Sequence, residues 1–265
     1  MVFTHFFSSH LRRAVKTAEL IRDAQPCAEG LGVGKDRPAV ISLPILREKD
    51  FGYYEGKPYY TMSKELRSQH ENHPDFADVE SKKSLAERMD SYLEEYLLPL
   101  IRSPISDHEH VVSIVGHGVI LSTLWRRLLV RLPRRSVKCL SEVLAVRKTI
   151  NLEHLGGYSN TGYLELHLEN SEHGLPPRLQ SEISYGTDSG DVSETTSDAT
   201  ASNVDAAPST TRKIVLLDGR SATIVVINGQ EHLKGLKRAG GGVGSARHDE
   251  GQKTIDTFFK RRKTG

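Results

Sequence analysis

Short apolar runs alternate with stretches of helical spacing along the first half of the chain. Residues 2–7 are β-branched and aromatic and end at Ser8-Ser9, a pattern that predicts a strand followed by a helix start. Leu11, Ala14, Val15, Ala18 and Ile21 then recur at helical spacing, and Pro26 with the glycines at 30–34 closes the unit. Residues 39–43 are a second apolar run, followed by the polar, Gly-punctuated LREKDFGYYEG, which reads as a loop. Residues 84–101 predict an amphipathic helix with Leu85, Met89, Tyr92, Tyr96 and Leu100 on one face. Residues 110–115 form a near-continuous apolar run ending in Gly-His-Gly, as a buried strand of a parallel sheet does. Residues 119–132 follow as a helix stopped before Pro133. The alternation predicts a three-layer α/β/α sandwich around a mostly parallel central sheet.

The second half reads differently. Residues 163–168 alternate apolar and polar and predict a strand. Residues 169–210 hold eight acids and one Arg, with almost no large apolar side chains. Such a segment cannot bury enough surface to offset its ordering entropy, so it is expected to be a disordered acidic insertion. Residues 213–217, Asp218-Gly219 and residues 223–227 read as a hairpin. The expected organisation is therefore one domain made of residues 1–168 and 211–235, interrupted by the insertion and followed by a flexible basic tail, residues 236–265.

Composition narrows the function classes. The formal charge is 36 − 34 = +2, too balanced to argue for nucleic acid or a membrane surface. No apolar run approaches the length needed to span a bilayer. Cys27 and Cys139 have no metal spacing and are too few for a disulfide framework, which predicts an intracellular protein. No metal or cofactor is expected.

Three segments carry candidate chemistry. Arg13 lies one turn into the first helix, just beyond a strand end. Glu48 lies on the loop after the second strand, and His117 at the end of the buried strand. In open α/β sheets ligands sit outside the carboxyl ends of strands, so the topology brings a cation, an acid and an imidazole to one edge. A guanidinium offers a planar fork to phosphate oxygens, and a helix N-terminus adds oriented N–H groups for the same anion. A carboxyl group of raised pKa can protonate a leaving oxygen.

These segments resemble the histidine phosphatase superfamily, of the phosphoglycerate-mutase-like kind. SSHLRRAVKTAE is similar to its second-strand motif, LREKDFGYYEG to its acidic loop, and VVSIVGHGVIL to its second-histidine motif. SNTGYLEL resembles the strand that follows, and NGQEHL the domain end of fungal-type members. The resemblance implies that Arg13 and His117 bind the transferred phosphoryl group. It implies further that Glu48 is the proton donor and that the nucleophile is a histidine in an Arg-His-Gly motif on the family's first strand. The sequence contains no Arg-His-Gly, and His5 and His10 flank the Ser-Ser in places that cannot stand in for it. The expectation is an N-terminally truncated chain without that first, central strand. Two neighbouring strands would lose backbone partners, and the chain would be inactive and poorly stable as written. The length of the loop after Glu48 looks more like the phosphatase branch than the mutase, with a small phosphorylated molecule as substrate.

The C-terminus adds a separate signal. Gln252, Ile255, Phe258 and Phe259 have the spacing Q-x-x-I-x-x-F-F, which resembles the PIP-box that docks on the DNA sliding clamp PCNA. One turn of helix would bring the three apolar side chains to one face, and the basic run at 260–263 would favour a nuclear location. A non-catalytic protein recruited through this motif is the alternative to an enzyme.

Overall fold

The structure, a computed structural model, describes residues 2–26, 37–57, 64–103, 109–147, 149–170, 183–184 and 216–235. The chain divides into two units, residues 1–229 and residues 230–265. The described part of the second unit carries one 3-10 turn, Glu231–Leu233, and all that follows concerns the first.

The first unit is a mixed α/β structure. Strand β1 (His5–Ser9) leads into helix α1 (Arg12–Asp23). Strand β2 (Val40–Leu43) is followed by 3-10 turns at Pro44–Leu46 and Gly52–Tyr54. Helices α2 (Lys64–His70) and α3 (Lys82–Tyr92) come next, then a π-helical turn, Leu93–Leu97, and α4 (Leu98–Arg102). Strand β3 (Val112–Val115) runs into α5 (Gly118–Leu129). After β4 (Val137–Cys139), α6 (Ser141–Val146) and β5 (Ile150–Asn151) come β6 (Tyr163–Asn170), β7 (Ile183–Ser184) and β8 (Arg220–Gly229).

β1 lies between β2 and β3 and is parallel to both, with Ser9 opposite Leu43 and Ser8 opposite Val115. All three strands therefore end at the same edge. β8 lies between β4, parallel, and β6, antiparallel. The expected mixed α/β fold with a parallel sheet is met by the β2-β1-β3 sheet and its helices. Among the described residues, β3 and β4 are sheet edges, although both carry mostly apolar sequence, VSIV and VKC. One hydrophobic core nevertheless joins the two sheets: Phe7 and Leu43 from the first share it with Val137, Cys139 and Ile224 from the second. Leu85, Met89, Tyr92, Leu124 and Leu128 of α3 and α5 complete it.

Two expectations need correction. The helix expected over residues 84–101 is interrupted by the π turn. Pro99 at the start of α4 has no N–H to give and its ring crowds the carbonyl four residues back, so the ladder shifts by one residue there. The shift rotates the apolar stripe, so Leu93, Leu97 and Leu98 are buried, while Tyr96 and Leu100 are only partly so. The hairpin expected around Asp218-Gly219 keeps its turn, with Gly219 at φ 71°, but Leu216 and Leu217 are not strand. β8 pairs instead with β6 and β4, which offer it two long-range partners. Within the segment expected to be a disordered insertion, Glu169 and Asn170 extend β6, and Ile183–Ser184 pairs with β5. The remainder of that segment, residues 213–215 and the tail from residue 236, including the PIP-box-like positions, lie outside the described residues.

Two polar clusters hold the layers. Arg131 is fully buried and bonds Asp90 at 2.8 Å and Glu94 at 3.3 Å. Asp90 also takes both arms of the Arg127 fork, at 2.7 and 2.8 Å, tying α3 to α5. Trp125 donates its indole N–H to the Leu152 carbonyl.

Candidate active site

The common edge of β1, β2 and β3 positions the three residues singled out by the sequence. Ser9, the last residue of β1, is fully buried, and its Oγ accepts the Leu11 N–H at 3.3 Å, which shapes the entry into α1. The first turn of α1 carries Arg12 and Arg13 and no acid. The first turn of α5, which starts directly after His117, carries no acid either. Two helix N-termini without acidic neighbours favour an anion.

His117 is held through both ring nitrogens. Nδ1 accepts from Arg13 Nε at 3.3 Å and faces Arg13 Nη2 at 3.2 Å. Nε2 lies 3.0 Å from Ser9 Oγ. A guanidinium only donates, so Nδ1 presents its lone pair and the ring proton is assigned to Nε2, which donates to Ser9. Burial pushes the His117 pKa down from its ordinary value, Arg13 and His10 push it further down, and Glu48 opposes them. The imidazole is therefore neutral at pH 7. A Cβ placed on Gly118 meets nothing within 4 Å, so the space beside His117 at the start of α5 is open.

Glu48 is close enough to act on His117 electrostatically but makes no hydrogen bond to it. Its Oε1 accepts the Lys49 N–H at 2.8 Å, and its Oε2 has no hydrogen-bond partner among the described residues. The structure thus brings Arg13 and His117 into direct contact and sets Glu48 on the neighbouring loop.

Such a corner is suited to a phosphoryl group. Turned off the imidazole, Arg13 presents a fork of N–H donors, and the Nδ1 it releases can take up a proton and donate to an oxygen of the same anion. Among the described residues no donor competes for the second carboxylate oxygen of Glu48. Among the described residues no group of three or more metal-ligating side chains occurs.

A family model described as histidine phosphatase superfamily, branch 1, matches residues 1–145. The chain belongs to that superfamily. A search of curated proteins finds no match. The histidine phosphatase match spans Arg13, Glu48 and His117, together with β1 to β3 and the helices around them.

Two features of this candidate site in the histidine phosphatase chain are not marked in the sequence. Ser9 enters as part of a Ser-Ser helix signal, yet it is the partner of His117 Nε2. The signal available was its place as the last residue of a buried strand. Glu80 and Arg88 form an ion pair at 2.7 Å beneath the Glu48 loop, and nothing in their spacing points to it. A cavity of about 160 Å³, lined by Ser122, Trp125, Arg126, Glu153, His154 and Tyr158 among others, contains none of Arg13, Glu48 or His117. Among the described residues no helix is long and apolar enough to cross a membrane.

Proposed function

We propose that this protein is a phosphatase that hydrolyses a small phosphate monoester through a phosphohistidine. The observation that supports the reading best is the Arg13 fork set against the His117 ring at the C-terminal edge of three parallel strands. In this reading a histidine nitrogen attacks phosphorus, and the bond from phosphorus to the leaving oxygen breaks. Glu48 gives that oxygen its proton, and Arg13 and His117 hold the phosphoryl oxygens. Water then attacks the phosphohistidine, releases phosphate and frees the histidine.

In this reading the nucleophile belongs to an Arg-His-Gly motif, and the 265 residues contain none. The proposal therefore has two parts. The catalytic form carries an Arg-His-Gly segment in addition to these residues, and the 265-residue chain alone turns over no substrate. Among the described residues β3 and β4 have no strand on one side, and this supports the first part, because an added strand could pair there. The assay is hydrolysis of p-nitrophenyl phosphate. The 265-residue chain is expected to be inactive, and a form extended in its own reading frame to include Arg-His-Gly is expected to be active. Turnover by the 265-residue chain that His117→Ala abolishes would refute the second part. Inactivity of the extended form would refute the first. Transfer of phosphate to a second alcohol in place of water would identify a mutase.

The tail supports a second reading, a protein recruited to the sliding clamp through Gln252, Ile255, Phe258 and Phe259, with a nuclear location. A peptide of residues 248–265 is expected to bind the clamp and to lose binding on Phe258→Ala with Phe259→Ala. Absence of binding at micromolar concentration removes this reading.

A further inference from the structure

The loop that carries Glu48 has no regular structure between the 3-10 turns Pro44–Leu46 and Gly52–Tyr54. Its backbone polar groups need partners from elsewhere, and one pair of side chains supplies several of them. Arg88, on α3, donates through Nη1 to the carbonyls of Ile45 at 2.8 Å and Arg47 at 2.9 Å. Its Nε and Nη2 engage Glu80 Oε1 and Oε2 at 2.8 and 2.7 Å, a two-pronged contact. Glu80 in turn accepts the Asp50 N–H through Oε2 at 3.1 Å, and its own N–H donates to the Asp50 carbonyl at 2.8 Å. The carbonyl just before Glu48 and the amide two residues after it are therefore fixed by the same ion pair. The pair is largely withdrawn from water, with 16% and 6% of the two side chains exposed, so its bonds are short and weakly screened. By contrast α3 packs on the core through Leu85, Met89 and Tyr92. The pair faces the loop rather than the core.

We propose that Glu80 and Arg88 are positioning residues for Glu48, clamping the backbone on both sides of it so that its carboxylate stays at the His117 corner. The inference rests on the reading of Glu48 as proton donor, but its test needs no turnover. The groups acting on His117 are Arg13, His10 and Glu48. Of these only Glu48 raises the histidine's pKa, so the His117 ring reports where the Glu48 charge is.

The experiment is a double-mutant cycle on the full 265-residue chain, read as the pH titration of the His117 ring protons by NMR. Glu48→Gln is expected to lower the midpoint. Arg88→Met is expected to lower it by part of that amount and to lower it no further in the Glu48→Gln background. Removing the Arg88 charge on its own pushes the midpoint up, so the sign separates positioning from direct electrostatics. An unchanged or raised midpoint in Arg88→Met, or an equal shift in both backgrounds, overturns the proposal. Glu80→Gln keeps the size of the side chain but removes its charge and turns one of the two oxygens that accept from Arg88 into a donor, so it loosens the clamp. It is expected to show a smaller downward shift with the same dependence on Glu48, and the proposal fails by the same criteria if it does not. Failure of the catalytic reading would appear separately, as an extended form without phosphatase activity whose titration cycle is nonetheless as stated.

Discussion

Replacing Asp90 with Ala is expected to cost the chain about 3 kcal/mol of stability. Asp90 holds both arms of Arg127 at 2.7 and 2.8 Å and bonds Arg131 at 2.8 Å. Arg131 has no exposure, so it cannot recover its lost partner from water. Breaking a buried pair by removing one member typically costs about 3–5 kcal/mol, because a charge is left uncompensated. Arg131 keeps Glu94 at 3.3 Å and the Arg127 carbonyl at 3.0 Å, and Arg127 is partly open to solvent. These partners place the loss at the lower end. The gain in helix propensity from Ala is only about 0.5 kcal/mol and does not reverse the sign. Urea unfolding followed by circular dichroism measures the difference. Replacing the pair together, Asp90→Leu with Arg131→Met, is expected to recover part of the loss, since the fully buried Arg131 charge is then gone while Arg127 and Glu94 can still reach water. A loss below about 1 kcal/mol for Asp90→Ala, or a double variant worse than the single one, would refute the reasoning.

Other consequences follow from the loop and the histidines. Gly52 sits at φ 53°, and a Cβ there would run into the carbonyls of Ala77 and Asp78. Gly52→Ala is therefore expected to destabilise by at least about 2 kcal/mol, from the left-handed backbone plus a clash with main-chain atoms that cannot swing away, as urea unfolding would show. Burial holds both His5 and His117 below their ordinary pKa of 6.5, with His110 adding to the effect on His5 and Arg13 on His117. The unfolded chain takes up protons near 6.5 while the folded chain resists. Stability is then full above that pH and lost as the pH falls below it, and the urea midpoint is expected to be lower at about pH 5.5 than at about pH 7.5. His5→Gln with His117→Gln is expected to shrink that difference.

The elements at the site were legible because each is short and local. A β-branched run ending in Ser-Ser, an apolar run ending in Gly-His-Gly and a helix with Arg13 in its first turn all appear within three residues of their expected places. Parallel strands joined by helices must end at one edge, so the meeting of Arg13 and His117 follows from the order of those elements. What the sequence did not show is long-range. Glu80 and Arg88 act on residues 45–50 across separations of 30 to 43 positions, and no periodicity marks a side chain that bonds to backbone groups so far away. Ser9 looked like a helix signal because a hydroxyl at a strand end serves equally as a cap or as a partner for a ring nitrogen. The turn at Asp218-Gly219 was read correctly from its dipeptide. The pairing of β8 was not, because two distant strands decide it.

The central claim is that the corner formed by Arg13, Ser9 and His117 receives a phosphoryl group, and inorganic phosphate tests it on the 265-residue chain directly. Phosphate titrated in while the His117 ring is followed by NMR is expected to give a saturable shift. As Arg13 turns from Nδ1 to the anion, the titration midpoint of His117 is expected to rise, and Arg13→Met is expected to abolish the response in a chain that remains folded. A His117 signal that does not respond to phosphate, or responds equally in Arg13→Met, would contradict the account.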